Sequence, residues 1–270
     1  MKIIDSTDEM ACTRPIGVFD SGVGGISVLQ ELIRVMPNEN YIYLGDSKHA
    51  PYGTKTLEEV RRLSFENARV LLAQGAKGLV VACNTAISAA VRLMRNRYPS
   101  LPIVGIEPAV KPAALQKEHP KVLVMATPMT VEQEKFRLLM QRYEDQADIY
   151  PLPCPGLMEF IEAGDLESER LHDFLEELLH PYLSYGLDSV VLGCTHYPFA
   201  KKMIRKIVGD QVTIFDGGAG TAREMCRRLT LAGLRNPSEE KGWVHFENSL
   251  ATDAELELCQ RLLVQEIVDE

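Results

Sequence analysis

The sequence predicts an α/β fold made of two pseudo-symmetric halves, each a mainly parallel sheet flanked by helices. Short apolar runs of strand length alternate with longer amphipathic segments along most of the chain, the succession that builds parallel sheets. The stretch "GLVVACNTAIS", Gly78 to Ser88, also has a counterpart in "SVVLGCTHYP", Ser189 to Pro198. In each, an apolar run ends in a cysteine followed by two polar residues.

In chain order, IGVFD at 16–20 is the first expected strand, followed by a glycine-rich loop and a helix over 26–36, where apolar residues return every three or four positions. YIYLG at 41–45 leads through a polar loop into a helix over 57–73. GLVVA at 78–82 leads into a helix over 86–97, and PIVGI at 102–106 follows. KVLVMA at 121–126 precedes a helix over 130–142, and IYPL at 149–152 precedes one over 169–184. DSVVLG at 188–193 and VTIF at 212–215 are followed by helices over 198–207 and 219–232, and WVHF at 243–246 is the last strand. Val, Ile, Tyr and Phe dominate these runs, as pleated and buried strands require.

With 270 residues and 46% apolar content, the chain can bury a substantial core, in one large domain or two of roughly 100 to 150 residues. Its 29 basic against 38 acidic residues give a formal charge of −9, which argues against a broad nucleic-acid or anionic-membrane surface. No apolar run reaches about 18 residues and the start lacks a signal-peptide core, so a cytoplasmic protein is expected. Six scattered cysteines without a CxxC pair indicate neither a disulfide scaffold nor a zinc knuckle.

Four loops follow expected strands: "DSGVGG" at 20–25, "GDSKHAPYG" at 45–53, "CNT" at 83–85 and "CTH" at 194–196. Ligands of open parallel sheets sit at such carboxyl ends, where helix N-termini offer free N–H groups. The glycine loop does not complete GxGxxG, because Ser27 stands at the third glycine position, and no GxxxxGK[ST] loop is present. Its glycines fit a tight strand-to-helix turn, and Asp20 and Ser21 fit a helix cap.

A lone cysteine beside a strand is more often packing than chemistry. Two at matching positions, Cys83 and Cys194, each before an expected helix start, suit a reaction in which one thiolate removes a proton from a substrate carbon and the other thiol supplies one. A thiol of pKa about 8.5 is only a few per cent ionised near neutrality, so each needs a partner. Asp20 and His196 are the candidates. A cysteine hydrolase with Cys194 as nucleophile and His196 as base leaves Cys83 unexplained. A metal site on Cys194 and His196 lacks further ligands at suitable spacing.

The segments "PIGVFDSGVGG", "GDSKHAPYG", "ACNTA", "PGLMEFIEAG" at 155–164 and "GCTHYP" together resemble the cofactor-independent glutamate racemases of the aspartate/glutamate racemase superfamily, in the same order and across most of the chain. The resemblance implies interconversion of L- and D-glutamate for peptidoglycan synthesis, with no pyridoxal phosphate, metal or nucleotide as cofactor. It implies that Cys83 acts on the D-enantiomer, assisted by Asp20, and Cys194 on the L-enantiomer, assisted by His196. Asp46 and Glu162 match further acidic catalytic positions. Substrate contacts would come from Asp20, Ser21, Pro51, Tyr52, Gly53, Asn84, Thr85, Thr127, Thr130, Thr195 and His196. Ala126 stands where the family more often has glycine, and "DSKHAPYG" departs from its arginine-containing version, so no role is carried over to Lys48 or His49.

The resemblance further implies two α/β domains, 14–106 with 218–270 on the Cys83 side and 107–217 on the Cys194 side, with the active site in the cleft between them and a homodimer as the assembly. Residues 1–13 are expected to be a flexible extension. The other four cysteines have no partner pattern and read as structural. An amino-acid-binding or regulatory protein that keeps the loops without turnover remains the alternative, although a binding module has no need of two strand-end thiols.

Overall fold

The computed structural model describes residues 10–265 and 267. The chain divides into two compact units, the first running to Ile106 and resuming at Gly218–Leu263, the second comprising Glu107–Gly217 together with Val264.

In the first unit, β1 (Ile16–Asp20), β2 (Tyr41–Gly45), β3 (Gly78–Val81) and β4 (Ile103–Gly105) pair in the order β4-β3-β1-β2, all parallel. In the second, β5 (Lys121–Ala126), β6 (Asp148–Pro153), β7 (Ser189–Leu192) and β8 (Thr213–Asp216) pair in the order β6-β5-β7-β8, again all parallel. Counted within its unit, each sheet reads fourth, third, first, second. The expected pair of similar α/β halves is therefore realised in topology. The first unit adds β9 (Val244–Asn248), parallel to β2.

This strand order puts a topological switch point between the first and third strands of each sheet. The connections to either side diverge there and open a crevice at the carboxyl ends. The strands flanking it are buried, β1, β3 and β7 at every position and β5 at all but Lys121, as is β2 beside them. Their continuous apolar runs are what a sheet covered on both faces selects. β6 is largely exposed and carries Pro151 and Pro153, as an edge strand can.

Helix Ile26–Val35 buries Ile26, Val28, Leu29 and Leu32. Helix Leu57–Ala73 starts on a capping box, in which Thr56 and Glu59 satisfy each other's backbone N–H, and buries Val60, Leu63, Ser64, Asn67, Ala68 and Leu71. The helix expected over 86–97 begins at Asn84 and is π-helical over Ile87–Val91. That expected over 130–142 is two helices, Pro128–Glu132 and Glu134–Gln141, because Gln133 is extended. The one expected over 198–207 opens as a 3-10 turn, Tyr197–Ala200, before Lys201–Val208.

Val110–Ala114 and Leu157–Glu162 are helices too short to show a periodic stripe, and Asp253–Val264 closes the first unit through Gln30 Nε2, which donates to Leu262 O and Leu263 O. Residues 1–9 of the expected extension lie outside the described residues. From residue 10 the chain is tied to the first unit: Cys12 is buried, its thiol donates to Gly233 O at 3.3 Å, and its carbonyl accepts from Lys77 Nζ.

Candidate active site

Asp20 closes β1, fully buried, and its Oδ1 accepts from Gly22 N–H at 2.9 Å and from Ser21 Oγ at 3.2 Å. Cys83 follows β3, the neighbouring strand, and its Sγ donates to Ser21 Oγ at 3.5 Å. The Ser21 hydroxyl thus links carboxylate and thiol at the switch point of the first sheet. The glycine loop behind them is set by close approach rather than by a special turn conformation. Gly25 has an ordinary helical φ of −62°, but a Cβ there would lie 2.7 Å from Asp20 Cβ and 2.9 Å from Ala82 Cβ.

Asp46, just past β2, donates its N–H to Asp20 O at 3.0 Å, which extends the ladder into the loop. Its Oδ1 pairs with His49 Nδ1 at 2.8 Å, and its Oδ2 accepts the Tyr52 hydroxyl at 2.6 Å. Asn67 Nδ2 donates to the same hydroxyl at 3.1 Å. Burial, followed by the hydrogen bond and charge of Asp46, pushes the Tyr52 pKa far above its ordinary value, so this phenol remains a protonated donor. Pro51 follows a cis peptide bond and Gly53 lies in the 3-10 turn Tyr52–Thr54. A pocket of about 540 Å³ reaches Asp46, His49 and Asn67 from the side of Leu63 and Phe246, and neither Asp20 nor Cys83 lines it.

In the second unit, Cys194 follows β7 and lies 3.6 Å through Sγ from His196 Nδ1. His196 Nε2 in turn contacts Glu162 Oε1 at 2.5 Å. The imidazole is almost wholly buried, whereas Glu162 keeps 20% of its side-chain surface exposed. Burial acts to lower the His196 pKa. The hydrogen bonds and negative charge of Cys194 and Glu162 outweigh it and hold the ring well above the usual histidine range. Glu162 is thus the partner of a buried histidine, not the solvated helix carboxylate its position alone would suggest.

Gly193 lets the chain turn out of β7 against β5, since a Cβ there would lie 2.7 Å from Met125 O. At the end of β5, Thr127 caps the following helix and its hydroxyl lies 2.8 Å from that of Thr130. Cys154, by contrast, is raised far above a normal thiol by burial and then by Cys194, and donates to Leu152 O at 3.3 Å, so it remains a packed thiol.

The structure therefore joins Asp20, Ser21 and Cys83; Asp46 and Tyr52; Cys194, His196 and Glu162; and Thr127 with Thr130. Asn84, Thr85 and Thr195 are buried beside the two thiols in sequence. Asn67 and His49 were not singled out from sequence. Asn67 left a readable trace, an amide on the buried stripe of helix Leu57–Ala73. Among the described residues, one group of potential metal ligands converges, His172, Asp173 and Glu176, and it contains none of the site residues.

Fold and site together define a class: a duplicated parallel α/β protein that holds a thiol at the carboxyl end of the third strand of each half, one beside a serine and an aspartate, the other beside a buried histidine. Residues 16–225 match the family model described as Asp/Glu/Hydantoin racemase. A glutamate racemase of Clostridium perfringens is 54% identical over 249 residues, covering 92% of this chain and 96% of that one. The glutamate racemase of Francisella tularensis, solved in complex with D-glutamate, superposes with a TM-score of 0.80 at 26% identity, covering 94% of this chain and 95% of that one. That of Escherichia coli, solved with L-glutamate and the activator UDP-MurNAc-Ala, superposes with a TM-score of 0.78 at 30% identity over 92% and 95%. The chain belongs to the Asp/Glu/hydantoin racemase family. No helix among the described residues is long and apolar enough to cross a membrane.

Proposed function

We propose that the chain is a cofactor-independent glutamate racemase that interconverts L- and D-glutamate by α-proton transfer between two thiols. The observation that carries this reading is the thiol repeated at the third strand of both sheets, each with its own, unlike polar partner. In the D-to-L direction the Cys83 thiolate takes the α-proton. The C–H electron pair is left on the α-carbon, delocalised into the adjacent carboxylate, and Cys194 S–H delivers a proton to the opposite face. One proton enters the protein and one leaves, and the two thiols exchange states. The L-to-D direction is the reverse.

The unlike partners divide the acid–base work. His196, held protonated by Glu162, stabilises the Cys194 thiolate as an ion pair, and Ser21 relays between Cys83 and Asp20. Ser21, Asn84, Thr85, Thr127, Thr130 and Thr195 supply hydroxyl and amide donors, and Tyr52 and Gly53 backbone N–H groups, for the two substrate carboxylates, which need no cluster of basic side chains. The same reading makes the protein a cytoplasmic homodimer that supplies D-glutamate for peptidoglycan.

The test is to incubate the purified protein with L-glutamate in D₂O and follow optical rotation together with loss of the α-proton NMR signal. Racemisation with deuterium incorporation is expected from the wild type, and neither C83S nor C194S should racemise above background. Near-wild-type turnover of both variants in both directions would refute the two-thiol mechanism. Binding without exchange by the wild type would leave an amino-acid-binding protein instead.

A further inference from the structure

We propose that His49 is a positioning residue for the Cys83 half-reaction, acting through Asp46 and Tyr52. This inference rests on the racemase reading above. Asp46 carries two oxygens and both are engaged: Oδ1 by His49 Nδ1 at 2.8 Å, Oδ2 by the Tyr52 hydroxyl at 2.6 Å. A carboxylate held at both oxygens is a buttress, and what it buttresses is Tyr52, almost completely buried in a turn that packs against Asn84–Ala86, the helix start directly after Cys83. Asn67 fixes the same hydroxyl from helix Leu57–Ala73. With Asn67 as donor and Asp46 as acceptor, the phenol has one hydrogen-bonding arrangement, which fixes the ring within the turn that packs against the helix start after Cys83.

His49 completes this chain from the outer side. Its side chain is 40% exposed while that of Asp46 is 3% exposed, so the imidazole is the solvent-facing partner of a nearly buried carboxylate, and both border the adjoining pocket. The turn that carries it is anchored independently of the imidazole. Asn248 Nδ2 donates to Ser47 Oγ at 2.8 Å, Lys48 N–H to Ser249 Oγ at 2.9 Å, and Ser249 N–H to Gly45 O at 2.9 Å. The segment after β9 therefore holds Ser47–His49 in place, and replacing the imidazole removes one contact to Asp46 without removing the turn. Released at Oδ1, Asp46 can rotate, and Tyr52 loses its fixed acceptor.

Isotope effects distinguish positioning from structure, because they do not depend on how much protein is folded. H49A, H49R and wild type are compared with glutamate deuterated at the α-carbon, each enantiomer separately. In H49A, kcat/KM is expected to fall about tenfold in both directions, the effect of one lost hydrogen bond to a charged group. The fall is equal both ways because the enantiomers have the same free energy in water.

The primary isotope effect should rise for the enantiomer deprotonated by Cys83, assigned as D, because that step becomes more limiting. It should decline for the other enantiomer, whose intermediate now returns more often, so that recovered L-glutamate loses α-deuterium to the solvent before it racemises. H49R, which restores a donor to Asp46, should bring both isotope effects back towards wild type. Unchanged isotope effects in H49A, whatever its rate, would overturn the proposal, as would H49R behaving like H49A. If the wild type itself neither exchanges nor racemises, the racemase reading fails and the result is distinct from either.

Discussion

Replacing Glu162 by glutamine isolates the electrostatic half of the Cys194 site. The substitution keeps the shape and leaves a hydrogen-bonding group against His196 Nε2, but removes the negative charge 2.5 Å away. A hydrogen bond to a charged group is worth about 1.5–3 kcal/mol, or roughly ten- to a hundredfold in kcat/KM if it is felt fully in the transition state. Glu162 keeps a fifth of its surface in water, which places the expected loss near the lower end. Without the carboxylate, the imidazolium and hence the Cys194 thiolate are less populated. The primary isotope effect should therefore rise for L-glutamate deuterated at the α-carbon and fall for the D-enantiomer, the opposite of the pattern expected for H49A.

The His196 ring should titrate at a lower pH in E162Q, read from its imidazole NMR signals. The sign of the stability effect follows from the same shift. His196 is raised in the folded state, so its pair with Glu162 contributes most below the unfolded histidine value of about 6.5, and the contribution is lost as pH rises through the raised folded value. Urea unfolding should accordingly show the largest wild-type advantage over E162Q near pH 6, where Glu162 is ionised and histidine protonated, and a smaller one well above neutrality. An E162Q enzyme within twofold of wild type in both directions, with unchanged isotope effects and an unmoved His196 titration, would refute this account.

Other perturbations separate support from chemistry. Gly25→Ala forces a methyl against Asp20 and Ala82 and should reduce racemisation much more than it reduces thermal stability; full activity would show that the Asp20 loop tolerates displacement. Tyr52→Phe strands Asp46 Oδ2 and Asn67 and should cost about 1–3 kcal/mol in urea unfolding, while a neutral result would mean that the network is hydrated. Lys77→Met leaves buried Glu39 with the part-exposed Arg235 as its remaining ionic partner among the described residues and should cost about 3–5 kcal/mol, with activity per folded molecule unchanged; a loss under about 1 kcal/mol would refute the pairing.

The contrast between what was legible and what was not lies in how each residue is held. Cys83 and Cys194 could be placed from sequence because an apolar strand that ends in a cysteine is a local pattern, and the duplication of the pattern mirrors the duplication of strand order. Asp20 and His196 were legible for the same reason, being adjacent in sequence to a strand end. The contacts they make were not. Asp20 reaches its thiol through Ser21, a relation fixed by the pairing of β1 with β3, and His196 is polarised by Glu162 from a six-residue helix whose periodicity is too short to read.

The least legible part is the Asp46–His49–Tyr52 cluster, because what orients it comes from far along the chain. Asn67 arrives on a helix face, and Asn248 and Ser249 arrive after the chain has built the second unit and returned to add β9. The sequence marks Asn67 only as a polar residue on an apolar stripe, and a buried amide in that position is costly unless it is satisfied. Such a residue points to a partner, and here the partner is the Tyr52 phenol, held on its other side by Asp46. The fixed orientation of Tyr52 is thus a product of long-range folding, and damage to the β9 segment should reach the Cys83 half-reaction before it reaches the Cys194 half-reaction.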